Sequence, residues 1–165
     1  MTKICNDKEL MAVLMNDFTE IINVVADRVL EEIVKPSIQE NVYDVGNPTT
    51  YDRQGETGGL LGAWEKNDPS VTGNIINSEI AVNPLSMTLD NENFIHGSQY
   101  WAMNDVRSIL AGIINDGESG NLFGNGWWRT PRNFWSPIEI AVKNGSINKI
   151  IEDEMTKRGI NWVKI

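Results

Sequence analysis

Residues 7–34, DKELMAVLMNDFTEIINVVADRVLEEIV, decide how this chain folds. Met11, Leu14, Phe18, Ile21, Ile22, Val25, Val29 and Ile33 recur at steps of three and four, which on a helix makes one apolar stripe. Asn6 followed by Glu9 has capping-box spacing at the start. Lys35-Pro36 is expected to end the helix, because proline disfavours helical geometry in the residue before it. At about 1.5 Å per residue such a rod is roughly 40 Å long and needs a broad cover. Val13, Val24, Leu30 and Val34 lie off the stripe. Singly they need no explanation, but four together point to a second contact surface, such as a neighbouring subunit. Arg28 and Glu32 are spaced to pair across one turn, a contribution of a few tenths of a kcal/mol.

The cover is sought downstream. Gln39 to Pro48 is turn-rich, and Tyr51 to Trp64 carries four closely spaced glycines, which favours a mobile loop feeding a strand near Leu60. No Lys-Ser/Thr pair follows those glycines, so they do not make a phosphate loop. Lys66 to Thr72 is a polar turn. Beyond it Ile76, Ile80 and Val82 alternate with polar residues, as do Leu85, Met87 and Leu89, which predicts two strands joined at Asn83-Pro84. Each buries one face and wets the other, and the opening helix is the natural lid. Asn104 is placed to cap a short helix on Val106, Ile109, Leu110, Ile113 and Ile114, closed by Asp116-Gly117. Ser136-Pro137-Ile138-Glu139 is a helix start with serine as cap. Ile138, Ala141, Val142, Ile147, Ile150, Ile151 and Met155 mark its buried side, Asn144-Gly145 a break and Gly159 the end. The whole predicts an α+β fold: a long N-terminal helix packed on an antiparallel β-sheet, with a short central helix, a C-terminal helix and a terminal strand. Residues 1–165 form a single domain with flexible loops at about 39–60, 90–103 and 117–135.

Composition narrows the function. Fourteen Lys and Arg face 23 Asp and Glu, a net charge of −9, which argues against a surface that grips nucleic acid through its phosphates. The single cysteine, Cys5, can form no internal disulfide, and the single histidine, His96, sits in a polar loop without triad or metal partners. Glu152, Asp153 and Glu154 follow one another on a helix and read as a solvated face. No nucleophile, base and orienter can be named together, so no enzyme, cofactor or metal is expected. The N-terminus lacks the apolar run of a signal peptide, and no segment approaches the roughly 18 apolar residues of a membrane span, so synthesis in the cytoplasm is expected. Gly117 to Trp135 is rich in glycine and aromatics. Such rings can stack on a sugar or base, or fold back to plug a core or a subunit joint, and the second use is the commoner.

Two stretches resemble the tail-completion and neck proteins of long-tailed bacteriophages, small proteins that join the head-side connector to the tail tube. In that family a long N-terminal helix leads to a Tyr-x-Arg segment and a Gly-Gly-Leu, to which Tyr51, Arg53, Gly58, Gly59 and Leu60 are similar. An acidic residue with glycine, a glycine-rich loop and a Pro-Arg pair before an aromatic then precede the last long helix. Asp116, Gly117, Pro131, Arg132 and Phe134 resemble these. The resemblance implies a structural virion protein at the head-tail joint, made in the host bacterial cytoplasm and assembled as a homo-oligomeric ring between connector and tail proteins. DNA passes through such a ring without specific binding, and no membrane is involved. Tail completion, tail terminator and head closure all stay open. The assembly-interface candidates are Tyr51, Arg53, Gly58, Gly59, Leu60, Trp64, Trp127, Trp128, Arg132, Phe134 and Trp135. The competing expectation is a carbohydrate- or ligand-binding module using Trp127, Trp128 and Trp135, and a third is a small hydrolase.

Overall fold

The opening rod forms, and it runs further than its sequence predicts. In the computed structural model, which describes residues 6–45, 55, 57–87, 107–117 and 130–160, helix α1 spans Asp7–Val29. Asn6 caps it, its Oδ1 accepting the Glu9 N–H at 3.0 Å. The chain then continues through a π turn, Leu30–Val34, helix α2, Lys35–Ile38, and a second π turn, Gln39–Tyr43. Pro36 therefore does not end the helix, and Gln39–Tyr43 is helical rather than loop. The N–H of Lys35 donates five residues back to the Leu30 carbonyl. That wider turn lies where an α-helix would push a carbonyl against the proline ring, so the obstacle is passed without a break.

The same π turn corrects the buried face. Ile21, Val25 and Val29 are buried, and the next buried apolar residues are Leu30, Val34, Ile38 and Val42. A π turn takes up one extra residue, which resets the apolar stripe by one position. Leu30 and Val34, expected off the stripe, are thus core residues. Ile38 is 0 % exposed.

The broadest lid on α1 is the C-terminal helix α5, Ser146–Lys157, rather than the sheet. The two run antiparallel: Arg28 Nη1 meets Glu154 Oε1 at 2.8 Å, while eight residues back Glu20 Oε2 meets Arg158 Nη1 at 2.9 Å. Glu154 is buried and also takes the Lys157 ammonium at 2.6 Å, so the acidic run 152–154 is not wholly a solvated face. Its third member turns inward because the Arg28 guanidinium waits there, itself tied to Glu32 at 2.6 Å.

Strands β1, Trp64–Lys66, β2, Ser70–Thr72, β3, Ile75–Asn77, and β4, Ile80–Val82, form two antiparallel ladders, β1 with β4 and β2 with β3. Trp64 faces Val82 and Val71 faces Ile76, so the ladders lie end to end in one long hairpin interrupted at Asp68-Pro69. Three sequence expectations shift here. The first strand starts at Trp64, not near Leu60, because Leu60–Ala63 is turn, closed by the Ala63 N–H on the Leu60 carbonyl. The polar turn Lys66 to Thr72 contains β2. The alternation Leu85, Met87, Leu89 is not a strand in its described part: Pro84–Ser86 is a 3₁₀ turn, with Asn83 Oδ1 accepting the Leu85 N–H at 3.0 Å. Proline sets the turn's φ and asparagine caps it, and that local chemistry outweighs the period-two pattern. The hairpin is pinned to the rod by Lys66 Nζ, which reaches Asn23 Oδ1 at 2.8 Å and Asp27 Oδ2 at 2.6 Å.

Helix α3, Arg107–Asp116, is the predicted central helix, stopped at Gly117 with φ 71°. Helix α4, Trp135–Lys143, begins two residues earlier than expected, at Trp135 rather than Pro137. Its first turn is capped by Asn133, whose Oδ1 accepts the Ser136 N–H at 2.9 Å, and not by Ser136. Gly145, at φ 82°, makes the break into α5 and Gly159, at φ 71°, ends it. The architecture is α+β, a long N-terminal helix with a small antiparallel sheet and C-terminal helices. Asn104, Cys5, His96 and the terminal strand expected within Ile160 to Ile165, apart from Ile160, lie outside the described residues.

Candidate functional site

At the far end of the rod the chain just after the first stretch of the sequence resemblance meets the end of the second. Trp64 sits between Phe134, edge-on at 6.1 Å between ring centroids, and Trp135, stacked at 5.9 Å with an interplanar angle of 22°. Such ring pairs add about 0.5–1.5 kcal/mol beyond the area they bury. Backbone and side chains then lace the junction to the helix. Ser37 Oγ donates to the Phe134 carbonyl at 2.6 Å, Arg132 Nη1 donates to the Val42 carbonyl at 3.3 Å, and the Leu61 N–H donates to the Tyr43 hydroxyl at 3.3 Å. Helix α3 joins through the Arg132 N–H on the Ile114 carbonyl and the Trp135 N–H on Asn115 Oδ1, both 2.9 Å.

This arrangement sorts the candidates. Leu60, Gly59, Trp64 and Phe134 are buried and hold the junction together. Gly58, at φ 73°, makes the turn that leads into it, a left-handed conformation only glycine adopts without strain. Arg132 is half-buried, and Trp135 is exposed on the side away from Trp64. Tyr51, Arg53, Trp127 and Trp128 lie outside the described residues. Sequence reading missed Ser37, Tyr43 and Asn115. Ser37 and Tyr43 sit beyond Pro36, where the helix was expected to have stopped, so neither had a face to belong to.

Electrostatics around the fold serve structure. The Lys157 ammonium and then the Arg28 guanidinium hold the Glu154 carboxyl below the usual carboxylate range, against the opposing effect of burial. Hydrogen bonds from the Ser86 hydroxyl and the Asn83 amide lower Glu65 in the same sense. The buried Trp64 indole N–H has no partner among the described residues. Among those residues no three His, Cys, Asp or Glu side chains gather as metal ligands, and no helix is long and apolar enough to cross a membrane.

A rod with a cross-braced aromatic junction at one end describes an α+β scaffold domain. The chain belongs to the YomN family, whose model matches residues 6–157. That family is phage-derived, of the Bacillus prophage type, which makes this a phage-associated protein. No curated protein and no solved structure matches the chain.

Proposed function

We propose that the protein is a structural, non-enzymatic component of the phage neck or tail end, acting in tail completion or head-tail joining as a ring around the DNA passage. The observation that carries this reading is the phage-derived family match across residues 6–157, which includes both stretches that resemble the neck proteins. The fold is consistent with it: Gly58, Leu60, Arg132 and Phe134, scattered in sequence, lie at or beside one junction on the rod. A net charge of −9 suits a passage that DNA slides through, because a wall poor in cations gives phosphates nothing to hold.

The test is direct. Mass spectrometry of purified particles should find the chain in the virion, and negative-stain images of the isolated protein should show closed rings. Absence from particles that are otherwise complete refutes the reading. The coding sequence should also lie between head-connector and tail-tube genes.

A further inference from the structure

The tip of the long hairpin carries an open strand edge. Strands β2 and β3 pair only with each other among the described residues, three residues against three. Strand β3 packs on α1, while every residue of β2 and of the turn beyond it is exposed. Thr72 faces Ile75 across the two-residue turn Gly73-Asn74, so that pair exchanges the closing hydrogen bonds and the next pair, Val71 with Ile76, does not. Val71 therefore turns its N–H and C=O away from β3, into solvent. A two-stranded ribbon of this length is marginally stable by itself. Exposed edges are ordinarily blunted by charge, yet Pro69 to Ser78 holds no Asp, Glu, Lys or Arg in a chain of net charge −9.

We propose that β2 pairs antiparallel with β2 of a second copy of the chain, Val71 against Val71 across a two-fold axis, making one four-stranded sheet. The edge specifies its occupant, because outward N–H and C=O groups are filled by an extended backbone. Val71 is the one residue of β2 that points both groups outward, and Pro69, the next outward position, has no N–H, so the register centres on Val71. In that register the strand is its own complement. Val71 exchanges two hydrogen bonds with its copy, and Ser70 stands opposite Thr72 on both sides of the axis, a hydroxyl pair that favours cross-strand pairing. On the other face Ile76, Val71 and their two copies line up as one apolar row, which covers a Val71 side chain that is 50 % exposed. Charge supports the same choice: two chains of net charge −9 approach best where neither carries any. A two-fold contact closes after two chains, so this inference goes beyond the ring reading and stands or falls apart from it.

The experiment is register-specific cross-linking of the full chain. Two variants, Ser70→Cys and Thr72→Cys, are made in a Cys5→Ser background, since Cys5 is the one native cysteine. Opposed residues that exchange no hydrogen bonds have Cα atoms about 4.5 Å apart, within disulfide reach. Oxidised as an equal mixture and digested for mass spectrometry, the chains are expected to give the mixed 70-to-72 disulfide about 10-fold above either like pair. Val71→Pro added to both chains removes the outward N–H, leaves the β2–β3 bonds intact, and should cut the mixed product about 10-fold, whereas Val71→Thr, which keeps the N–H, should not. All three side chains are exposed, so circular dichroism of every variant should match the wild type. No disulfide at all, or mixed and like disulfides in random proportion, overturns the pairing. A mixed product that survives Val71→Pro, or is lost equally with Val71→Thr, overturns the backbone edge as its cause.

Discussion

Truncating Ile38 to alanine tests the central structural claim, that the helix passes through Pro36 and its continuation is core. Ile38 is 0 % exposed, two residues past the proline, beside the Ser37 hydroxyl that is bonded to the Phe134 carbonyl. Removing three buried carbons costs their transfer free energy plus that of the cavity left behind, about 3 kcal/mol within a range of about 2–5. At about 2–4 °C per kcal/mol for a domain of this size, the melting temperature should fall by about 6–12 °C. Urea unfolding followed by tryptophan fluorescence and far-UV circular dichroism is the assay. The midpoint should drop while the slope with denaturant stays constant, since the same surface is exposed on unfolding. Leu85→Ala is the control, because that side chain is 75 % exposed on the 3₁₀ turn and should change stability by less than about 0.5 kcal/mol. If the helix stopped at Lys35, residue 38 would lie in a wet loop and the two substitutions would behave alike. Equal, small effects would refute the continuous rod.

Four further outcomes follow from the same structure. Glu154 has its folded-state pKa lowered by Lys157 and Arg28, so its stabilisation is complete above the usual carboxylate pKa of about 4.3 and disappears as acid protonates it; melting temperature against pH should fall more steeply below about pH 4.5 in the wild type than in Glu154→Gln. Two glycine-to-alanine changes should have opposite signs in thermal melts. Gly145→Ala, at φ 82°, loses about 1 kcal/mol to backbone strain, whereas Gly112→Ala, inside α3 with open space at the Cβ, gains up to about 1 kcal/mol. Duplex DNA mobility at about 50 mM salt should be unchanged by the isolated protein, and tight, salt-sensitive retardation would count against a sliding passage. A glycan array with tryptophan fluorescence should show no sugar-dependent change, because Trp135 already gives one ring face to Trp64; a saturable change would favour the carbohydrate-binding alternative.

What the sequence made legible was local chemistry with one unambiguous geometric solution. Asn6, Gly117, Gly145 and Gly159 mark helix ends in the structure as they do on paper, since a cap or a left-handed residue needs only its neighbours. The errors share a cause. Pro36 and Pro84 were read as strand and helix punctuation in the average sense, yet one is absorbed by a π turn and the other starts a 3₁₀ turn. A π turn leaves no signature in a three-and-four pattern except a phase slip, here from Val29 to Leu30. That slip looked like stray surface valines and a leucine until the downstream residues, Val34, Ile38 and Val42, showed where the face had gone. Glu154 was illegible for a different reason: a buried carboxylate is identified by a partner far away in sequence, and Arg28 lies 126 residues off. The candidate site divided likewise, its buried members Leu60 and Phe134 drawn together by packing and its loop members Tyr51, Arg53, Trp127 and Trp128 outside the described residues.

The length of the rod is the remaining clue. From Asp7 to Tyr43 it extends about 55 Å, while α5, with 12 residues, spans about 18 Å and the hairpin is anchored near Asn23 and Asp27. A helix needed only to complete its own core would begin near Phe18, the first residue of α1 that packs against that core among the described residues. The three turns before it gain little burial among the described residues, since Leu10, Met11, Val13 and Leu14 remain exposed. Met11, Leu14, Phe18, Ile21 and Val25 nevertheless keep a strict three-and-four alternation across that boundary. The seam that buries Ile21 and Val25 inside the domain therefore continues, unchanged in spacing, into a part that the described residues leave exposed. On the ring reading proposed above, a neighbouring copy is what would cover the exposed half of that seam.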